Sequence, residues 1–374
     1  MSFFDRVLEP PTYGYERNGT LYVPTHKELV REFFKSINVF RSKKNWLQFV
    51  GWFTTSLFAI PFFIFIFKYF RWDYAFLGLT YSMVCLGSFG TFWFHRYSTH
   101  RGYRFRNPFA IFLLRNLVIK IIPEEVYVIS HHVHHRKSEL PGDPYNVHAG
   151  WLYCFLADAN HQRIGQNLNP SEYAQLKKLL RDTGVNLNSY EQYQKWGSLC
   201  HPFYTICHYV FNWLFWYGVF YFIGGTQLAV AIFGMTVVWA VGVRTFNFDG
   251  HGGGKDLRRK GIDFNWEDLS INRVWPGYVA GEWHNNHHLY PGGARSGFLP
   301  YQIDIPWYLV KFLHLIGAIT DYKDDRAAFY RDHYEPYLKS LKTPPQSEEM
   351  VRNTEDLISA TTRTIAPELP GSTV

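Results

Sequence analysis

Uncharged stretches alternate with polar blocks along the 374-residue chain. The first stretch runs from Asn45 to Phe67 and the second from Tyr74 to Phe94, with only the short polar link from Lys68 to Asp73 between them. About 20 apolar helical residues cross the roughly 30 Å of hydrocarbon in a bilayer. The pattern therefore predicts two membrane-spanning helices joined as a hairpin.

The longest uncharged stretch, from Trp196 to Val243, is long enough for two further spans. Gly224-Gly225-Thr226 interrupts it past the middle, and a glycine pair is a turn signal. We expect spans at about 203–223 and 227–243, in addition to 45–67 and 74–95. A buried helical hairpin of a soluble protein is the alternative, but two such hairpins in one chain would be unusual.

These spans predict an all-α fold, with four transmembrane helices in two hairpins and a cytosolic helical cap. The membrane domain extends over residues 45–325, between a cytosolic N-terminal segment (1–44) and a C-terminal region (326–374). Residues 96–200, between the hairpins, form a cytosolic block. From about residue 343 the tail is polar and aperiodic, which predicts disorder.

The charge distribution favours a membrane surface over nucleic acid as the partner. The formal net charge is +7 and aromatic residues make up 19% of the chain, as in a protein with aromatic belts. The basic residues that flank the spans are Arg41, Lys43, Lys44, Arg96, Arg101, Arg104, Arg106, Arg244, Lys255, Arg258 and Arg259. Because cytoplasmic flanks are rich in Lys and Arg, we expect a multi-pass protein with both termini and the polar blocks in the cytoplasm.

Histidines concentrate in three short clusters and one isolated position. The clusters are His95–His100, His131–His135 and His284–His288, and the segment Asn247–His251 follows the fourth predicted span. Since the first cluster and this last segment each lie just past a predicted span, the histidines are expected at one membrane face.

The second and third clusters each contain three histidines at the spacing i, i+3 and i+4, which puts them on one face of a helix. Neutral imidazoles on one face can converge on a metal ion, each through one nitrogen lone pair. His132 points about 100° away from its neighbours, so it is predicted not to be a ligand. His95 and His100 are five residues apart, about 140° around an α-helix. Either they serve two metals, which is the favoured hypothesis, or the helix is broken between them.

Nine histidines are more than one tetrahedral or octahedral ion accepts, so the sequence predicts two metal ions. The predicted ligands are His95, His100, His131, His134, His135, His251, His284, His287 and His288, with Asn247 acting through a water molecule. No carboxylate shares the spacing, which distinguishes the set from carboxylate-rich di-iron bundles. All-nitrogen sites suit iron, copper or zinc, so ligand type alone leaves the metal open.

The clusters resemble those of the membrane-bound fatty acid desaturases, particularly the delta-9 acyl-CoA and acyl-lipid branch. That family's HxxxxH, HxxHH and HxxHH series matches the three clusters, and its NxxxH element matches Asn247 and His251. Three positions differ from the usual pattern. These are His132 in place of arginine, a segment Gly281-Glu282-Trp283 that is one residue short, and Tyr145 in place of histidine.

The resemblance implies oxygen-dependent desaturation of a fatty acyl chain, carried as acyl-CoA or acyl-lipid. It implies two iron ions (Fe2+) as cofactor and an apolar tunnel that sets the position of the double bond. The chain has no HPGG cytochrome b5 motif, so electrons are expected from a separate donor of the ferredoxin or cytochrome b5 type. The departures beside the site leave the head group and the double-bond position open.

The same residues are also compatible with two other functional interpretations. A hydroxylase or a terminal-alkene-forming fatty acid decarboxylase on the same scaffold could use the same oxidant. From another class, a membrane metal-binding or transport protein would also need clustered ligands. Transporters place such ligands near the middle of the membrane, whereas these histidines are expected at one face.

Overall fold

In the computed structural model the described residues are 3–13, 16–160, 163–254, 272 and 274–342. The chain separates into two compact units, Met1–Arg326 and Ala327–Val374. The tail predicted to be disordered from about residue 343 lies outside the described residues, as do the flanking residues Lys255, Arg258 and Arg259.

Helices account for most of the described chain. The α-helices are α1 (His26–Ser36), α2 (Trp46–Leu57), α3 (Ala59–Ile64), α4 (Trp72–Thr80), α5 (Gly87–Phe89), α6 (Pro108–Arg115), α7 (Glu124–Lys137), α8 (Trp151–Phe155), α9 (Ala157–Asn160), α10 (Pro170–Leu179), α11 (Tyr190–Trp196), α12 (Pro202–Gly242), α13 (Phe246–Gly250), α14 (Val274–Ala280), α15 (His284–Leu289), α16 (Ile305–Leu315), α17 (Arg326–Phe329) and α18 (Glu335–Lys342). The π-helical segments are Phe65–Tyr69, Tyr81–Leu86, Gly90–Thr99 and Tyr330–Tyr334. Short 3₁₀ turns occur at Phe3–Asp5, Lys43–Asn45, Val147–Ala149, Val243–Thr245 and Gly252–Gly254.

Among the described residues, three helical stretches are long and apolar enough to cross a membrane. They are Lys43–Tyr69, Trp72–Thr99 and Pro202–Gly250. The third is interrupted at the predicted turn, where Gly224 (φ −145°, ψ 21°) and Gly225 (φ 68°, ψ −170°) leave the helical conformation. Glycine is required at Gly225, because a side chain disfavours positive φ.

Glycines also let the second half of α12 lie against the first two spans. A Cβ added to Gly234 would come within 2.7 Å of the Phe62 backbone, and one added to Gly78 within 2.7 Å of the Met235 side chain. Helices in a membrane gain little from the hydrophobic effect, so such close backbone contact contributes much of their packing. The three stretches therefore form one packed body that supports the histidine-bearing elements.

The prediction of a mainly helical fold is confirmed, and the described residues also include four short strands. Strands β1 (Glu16–Arg17) and β2 (Thr20–Leu21) form one antiparallel pair, and β3 (Tyr103–Phe105) and β4 (Ile319–Tyr322) form another. Strands of two to four residues are too short to show an alternating pattern in sequence. The β3–β4 pair joins the end of the second span to a distant part of the chain.

Helix α7 carries the second histidine cluster and begins after Pro123 at its N-cap, with the acidic residues Glu124 and Glu125 in its first turn. Glu124 is buried and accepts hydrogen bonds from Arg115 (2.7 Å) and from Lys120 Nζ (2.7 Å). Burial lowers the pKa of Lys120 to about 8, although the Glu124 carboxylate opposes the shift. Helix α7 packs against the π-helical segment Gly90–Thr99, which brings the second cluster to the first.

Candidate metal centre

The nine predicted histidines come together as two groups of ring nitrogens. The first group is His95, His100, His131, His135 and His287, and the second is His134, His251, His284 and His288. Within each group the ligand nitrogens lie within 4.8 Å of one another. These side chains come from the π-helical segment and its C-cap residue His100, from helices α7 and α15, and from the residue that follows α13.

The nitrogen contacts are short in both groups. In the first, His95 Nε2 lies 2.8 Å from His287 Nε2 and 2.9 Å from His131 Nε2. In the second, His251 Nε2 lies 3.2 Å from His134 Nε2 and 2.9 Å from His284 Nε2. Two nitrogens about 2.1 Å from one ion and about 90° apart would be about 3.0 Å from each other. The observed separations fit a shared ion.

Hydrogen bonding alone does not explain these contacts. His134 donates its Nδ1–H to Asp143 (2.9 Å) and His251 donates its Nδ1–H to Glu139 (2.7 Å). In a neutral imidazole the other nitrogen then carries a lone pair. The two Nε2 lone pairs of His134 and His251 therefore face each other, an arrangement that a cation between them stabilises. The residues present fit a metal ion.

Burial keeps these imidazoles in the form that binds metal. Burial is the main reason why the pKa values of His131, His287 and His288 lie well below the usual value for histidine. Neighbouring histidines lower these pKa values further. The pKa of His284 falls to about 4, mainly through burial and despite the nearby Glu282 carboxylate, which opposes the change. Neutral imidazoles offer free lone pairs at neutral pH.

The structure divides the two helical triads between the groups and keeps His95 and His100 together, which is the opposite of the sequence-based expectation. Each helical triad is divided: His131 and His135 belong to the first group and His134 to the second. Residues i and i+4 point the same way, whereas i+3 is turned toward the neighbouring group. The hypothesis that His95 and His100 serve different metals was wrong, because both lie in the first group.

The π-helical conformation explains why His95 and His100 meet. His100 N donates to His95 O at 3.2 Å, the i to i+5 bond that defines a π-turn. Residues five apart then lie nearly above one another, and the two rings are 5.1 Å apart. In an α-helix the same two residues would diverge.

Sequence reasoning missed the carboxylates that orient the histidines, because they lie outside the repeated spacing. Besides Asp143 and Glu139, buried Glu282 accepts a hydrogen bond from His95 Nδ1 at 3.1 Å. Its other oxygen lies 3.9 Å from His284 Nδ1, so one carboxylate reaches a histidine of each group. Such partners fix the tautomer and raise the basicity of the metal-facing nitrogen.

Arg96 fixes the segment that carries His95 to the part of the chain around the third cluster. Its side chain is 1% exposed and donates to Asp304 Oδ1 (2.9 Å) and to the Gly281 carbonyl (2.6 Å). A charge-assisted contact of this kind is among the stronger hydrogen bonds in proteins. Arg96 therefore positions His95 against His287.

The remaining candidates lie at the margin of the groups. His132 belongs to neither group, and burial, with Arg101 and Arg136 nearby, lowers its pKa to about 4. Asn247 borders a mainly apolar cavity of about 180 Å³ that His95 also lines. Gly87, Gly90 and Trp239 line the same cavity farther along the second span and α12.

The fold and site define a membrane-associated helical protein with a histidine-rich centre suited to two metal ions. The chain belongs to the fatty acid desaturase family, whose model, described as "Fatty acid desaturase", matches residues 70–330. It is an oxidoreductase of the fatty acyl desaturase type, and the family predicted from the three clusters is confirmed.

Curated relatives support the same family. An icosanoyl-CoA 5-desaturase of Limnanthes douglasii is 27% identical over 68% of this chain and 67% of its own length. A palmitoyl-monogalactosyldiacylglycerol delta-7 desaturase of Arabidopsis thaliana is 30% identical, over 53% of this chain and only 47% of its own length. The delta-9 desaturase-like 1 protein of Arabidopsis thaliana is 28% identical over 68% of this chain and 78% of its own length.

Proposed function

We propose that the protein introduces a double bond into a fatty acyl chain, delta-9-like in position, in a reaction that consumes dioxygen and two external electrons. The observation that carries the proposal is the pair of adjacent nitrogen groups beside an apolar cavity that His95 lines. Relatives are named as acting on acyl-CoA and on an acyl-lipid, and we propose one of these carriers here.

We propose two iron ions, one in each group. The proposed ligands are His95, His100, His131, His135 and His287 for one ion, and His134, His251, His284 and His288 for the other, with Asn247 acting through water. Bound iron would supply the oxidising power to remove hydrogen from a methylene group. The chain's carboxylates Asp143, Glu139 and Glu282 hold the imidazoles in position and in the required tautomer.

The chain's other residues bind the substrate and exclude water. The cavity beside His95 is bordered by Phe94, Ile122 and Trp239, apolar side chains that suit methylenes rather than a polar head group. Electrons are proposed to come from a separate ferredoxin or cytochrome b5-type protein.

In the bilayer we propose four spans in two hairpins, with the metal centre and both termini on the cytoplasmic side. The break at Gly224-Gly225 supports division of the third stretch into two spans. At about 1.5 Å per residue, an unbroken α12 would be roughly twice as long as the hydrocarbon is thick.

Lipid profiling tests the reaction. Gas chromatography of fatty acids from a host expressing the chain should show a new internal double bond that is absent with an empty vector. Purified protein should contain about two irons per chain and consume oxygen when reductant is supplied. An alcohol or a 1-alkene, without a new internal double bond, would instead establish the hydroxylase or the decarboxylase, and two zinc ions with no oxygen consumption would exclude redox chemistry.

A further inference from the structure

A second cavity, of about 1,030 Å³, lies beside strand β3 and the start of α6, and we call it the basic cleft. The cations that line it are Arg101, Arg104, Arg106, Lys178, Arg181 and Lys323. Among the described residues that line it, only Asp182 and Asp321 carry a negative charge. Six cations around two carboxylates give a positive site that attracts anions.

Several of these cations are available to a ligand. Among the described residues, no carboxylate lies within ion-pair distance of Arg104, Arg106 or Lys178, although Asp321 is the strand partner of Arg104. Arg181 pairs with Asp182 at 3.3 Å, but both side chains are largely exposed. Exposed ion pairs of this kind contribute little stability, so the arginine can readily exchange its carboxylate partner for a stronger anion.

Exposed apolar side chains lie close to the basic cleft in sequence, on α6, which contributes to its lining, and at the end of α16. Phe109, on α6, is 67% exposed, and Leu315, at the end of α16, is 82% exposed. Arg106, which lines the basic cleft, lies close to the end of α16. Its guanidinium is 3.2 Å from the position of a Cβ added to Gly317, two residues beyond Leu315. A basic site next to exposed apolar side chains matches the headgroup layer of a bilayer, where anionic phosphates lie above acyl chains.

The basic cleft is separate from the cavity beside His95. The two share no lining residue. Phe94 and His95 line the first cavity, whereas Tyr97 of the same π-helical segment lines the basic cleft and donates to the Asp182 carbonyl at 2.6 Å. A ligand in the basic cleft would therefore lie on the other side of this segment from the proposed acyl substrate.

We propose that the basic cleft binds the phosphate headgroup of an anionic membrane lipid that is not the substrate. Arginine suits this role because its planar guanidinium donates two parallel hydrogen bonds to a phosphate. The concave shape of the basic cleft and the exposed apolar side chains near it favour a lipid over an acidic protein, which would need a wider and flatter surface. Bound lipid would fix the strand pair and α6 against the bilayer surface.

Binding to the purified full-length protein in neutral detergent tests the proposal. The probe is dihexanoyl phosphatidic acid, compared with dihexanoyl phosphatidylcholine and inorganic phosphate, with affinities measured by microscale thermophoresis. We expect phosphatidic acid to bind at least tenfold more tightly than either comparison ligand. The variant Arg104→Gln/Arg106→Gln should weaken it at least tenfold, and Lys178→Gln, on a different element, should weaken it severalfold.

The control Lys27→Gln/Arg31→Gln removes the same charge from exposed positions on α1 and should bind within twofold of the native protein. Equal affinity for inorganic phosphate, unchanged binding by the cleft variants, or tighter binding of polyglutamate at the same residues would each overturn the proposal. The assay uses neither substrate nor reductant, so its outcome is independent of the proposed desaturation.

Discussion

At the scale of single residues, the position of each histidine within its helix decides which nitrogen group it joins. His284 and His288 are four apart and share a group, whereas His287 lies in the other. On α7 the pair four apart, His131 and His135, joins the other group, and His134 joins His284 and His288, so the two helices contribute to the groups in a complementary way. A single histidine substitution should therefore remove a nitrogen from one group only.

His287→Ala should abolish desaturation, with a loss of at least 100-fold, because it removes one of the nitrogens around one proposed iron. Iron content should fall from about two per chain while the protein still inserts into membranes. Fatty acid analysis and metal analysis of the purified protein measure both effects. His132→Ala is the matched control, since His132 lies, partly buried, on α7 beside the ligand candidates but belongs to neither group. Full activity in His287→Ala would disprove the ligand assignment.

Glu125 makes stability depend on pH. It is buried and accepts a hydrogen bond from Cys200 N at 2.9 Å, and burial raises its pKa from 4.5 to about 7. Between these two values the folded state holds a proton that the unfolded state has lost, so stability falls as pH rises from about 5 to 7. Glu125→Gln removes this dependence.

The stability of Glu125→Gln relative to the native protein should therefore increase between pH 5 and pH 8, by up to about 3 kcal/mol if the full shift is realised. Thermal unfolding in detergent, followed across this pH range, measures the difference. A constant difference at all pH values would mean that Glu125 ionises normally in the folded protein.

At the scale of elements, the sequence predicted the apolar stretches and the interruption at Gly224-Gly225, because each has a strong local signal. It did not predict the π-helical segment, because insertion of an i to i+5 turn depends on packing rather than on periodicity. It also missed the β3–β4 pair, whose partners are far apart in the chain. The histidine positions were predictable from spacing, but their division between two groups required the relative orientation of α7 and α15.

The cavity beside His95 is bounded by the second span, so its length can be altered from that helix. A Cβ added to Gly87 would be 3.5 Å from Ala280 Cβ, an ordinary contact, so Gly87→Ala should fold and remain active. Gly87→Leu should fill part of the cavity and shift the product toward shorter acyl chains. Product chain lengths from gas chromatography compare the two variants. An unchanged chain-length profile in Gly87→Leu would mean that acyl chains do not occupy this cavity.

At the scale of the whole molecule, the proposed arrangement places the turn at Gly224-Gly225 on the opposite side of the membrane from both termini. A glycosylation acceptor inserted at this turn should therefore be modified in a eukaryotic host, with a mobility shift that glycosidase reverses. The same acceptor inserted after Asn18, in the N-terminal segment that is proposed to be cytosolic, should remain unmodified. Modification at Asn18, or its absence at the turn, would contradict four spans with cytoplasmic termini.

His95 and Arg96 contact residues that are synthesised much later than they are. His95 and His287 are 192 residues apart in sequence, and Arg96 and Asp304 are 208 apart. Translation at about 5–20 residues per second separates their appearance by roughly 10 to 40 seconds. Both nitrogen groups include histidines from α15, so neither can be complete before α15 has been synthesised. The proposed metal ions could therefore be held by complete groups only late in synthesis, once α15, in the last quarter of the chain, has been made.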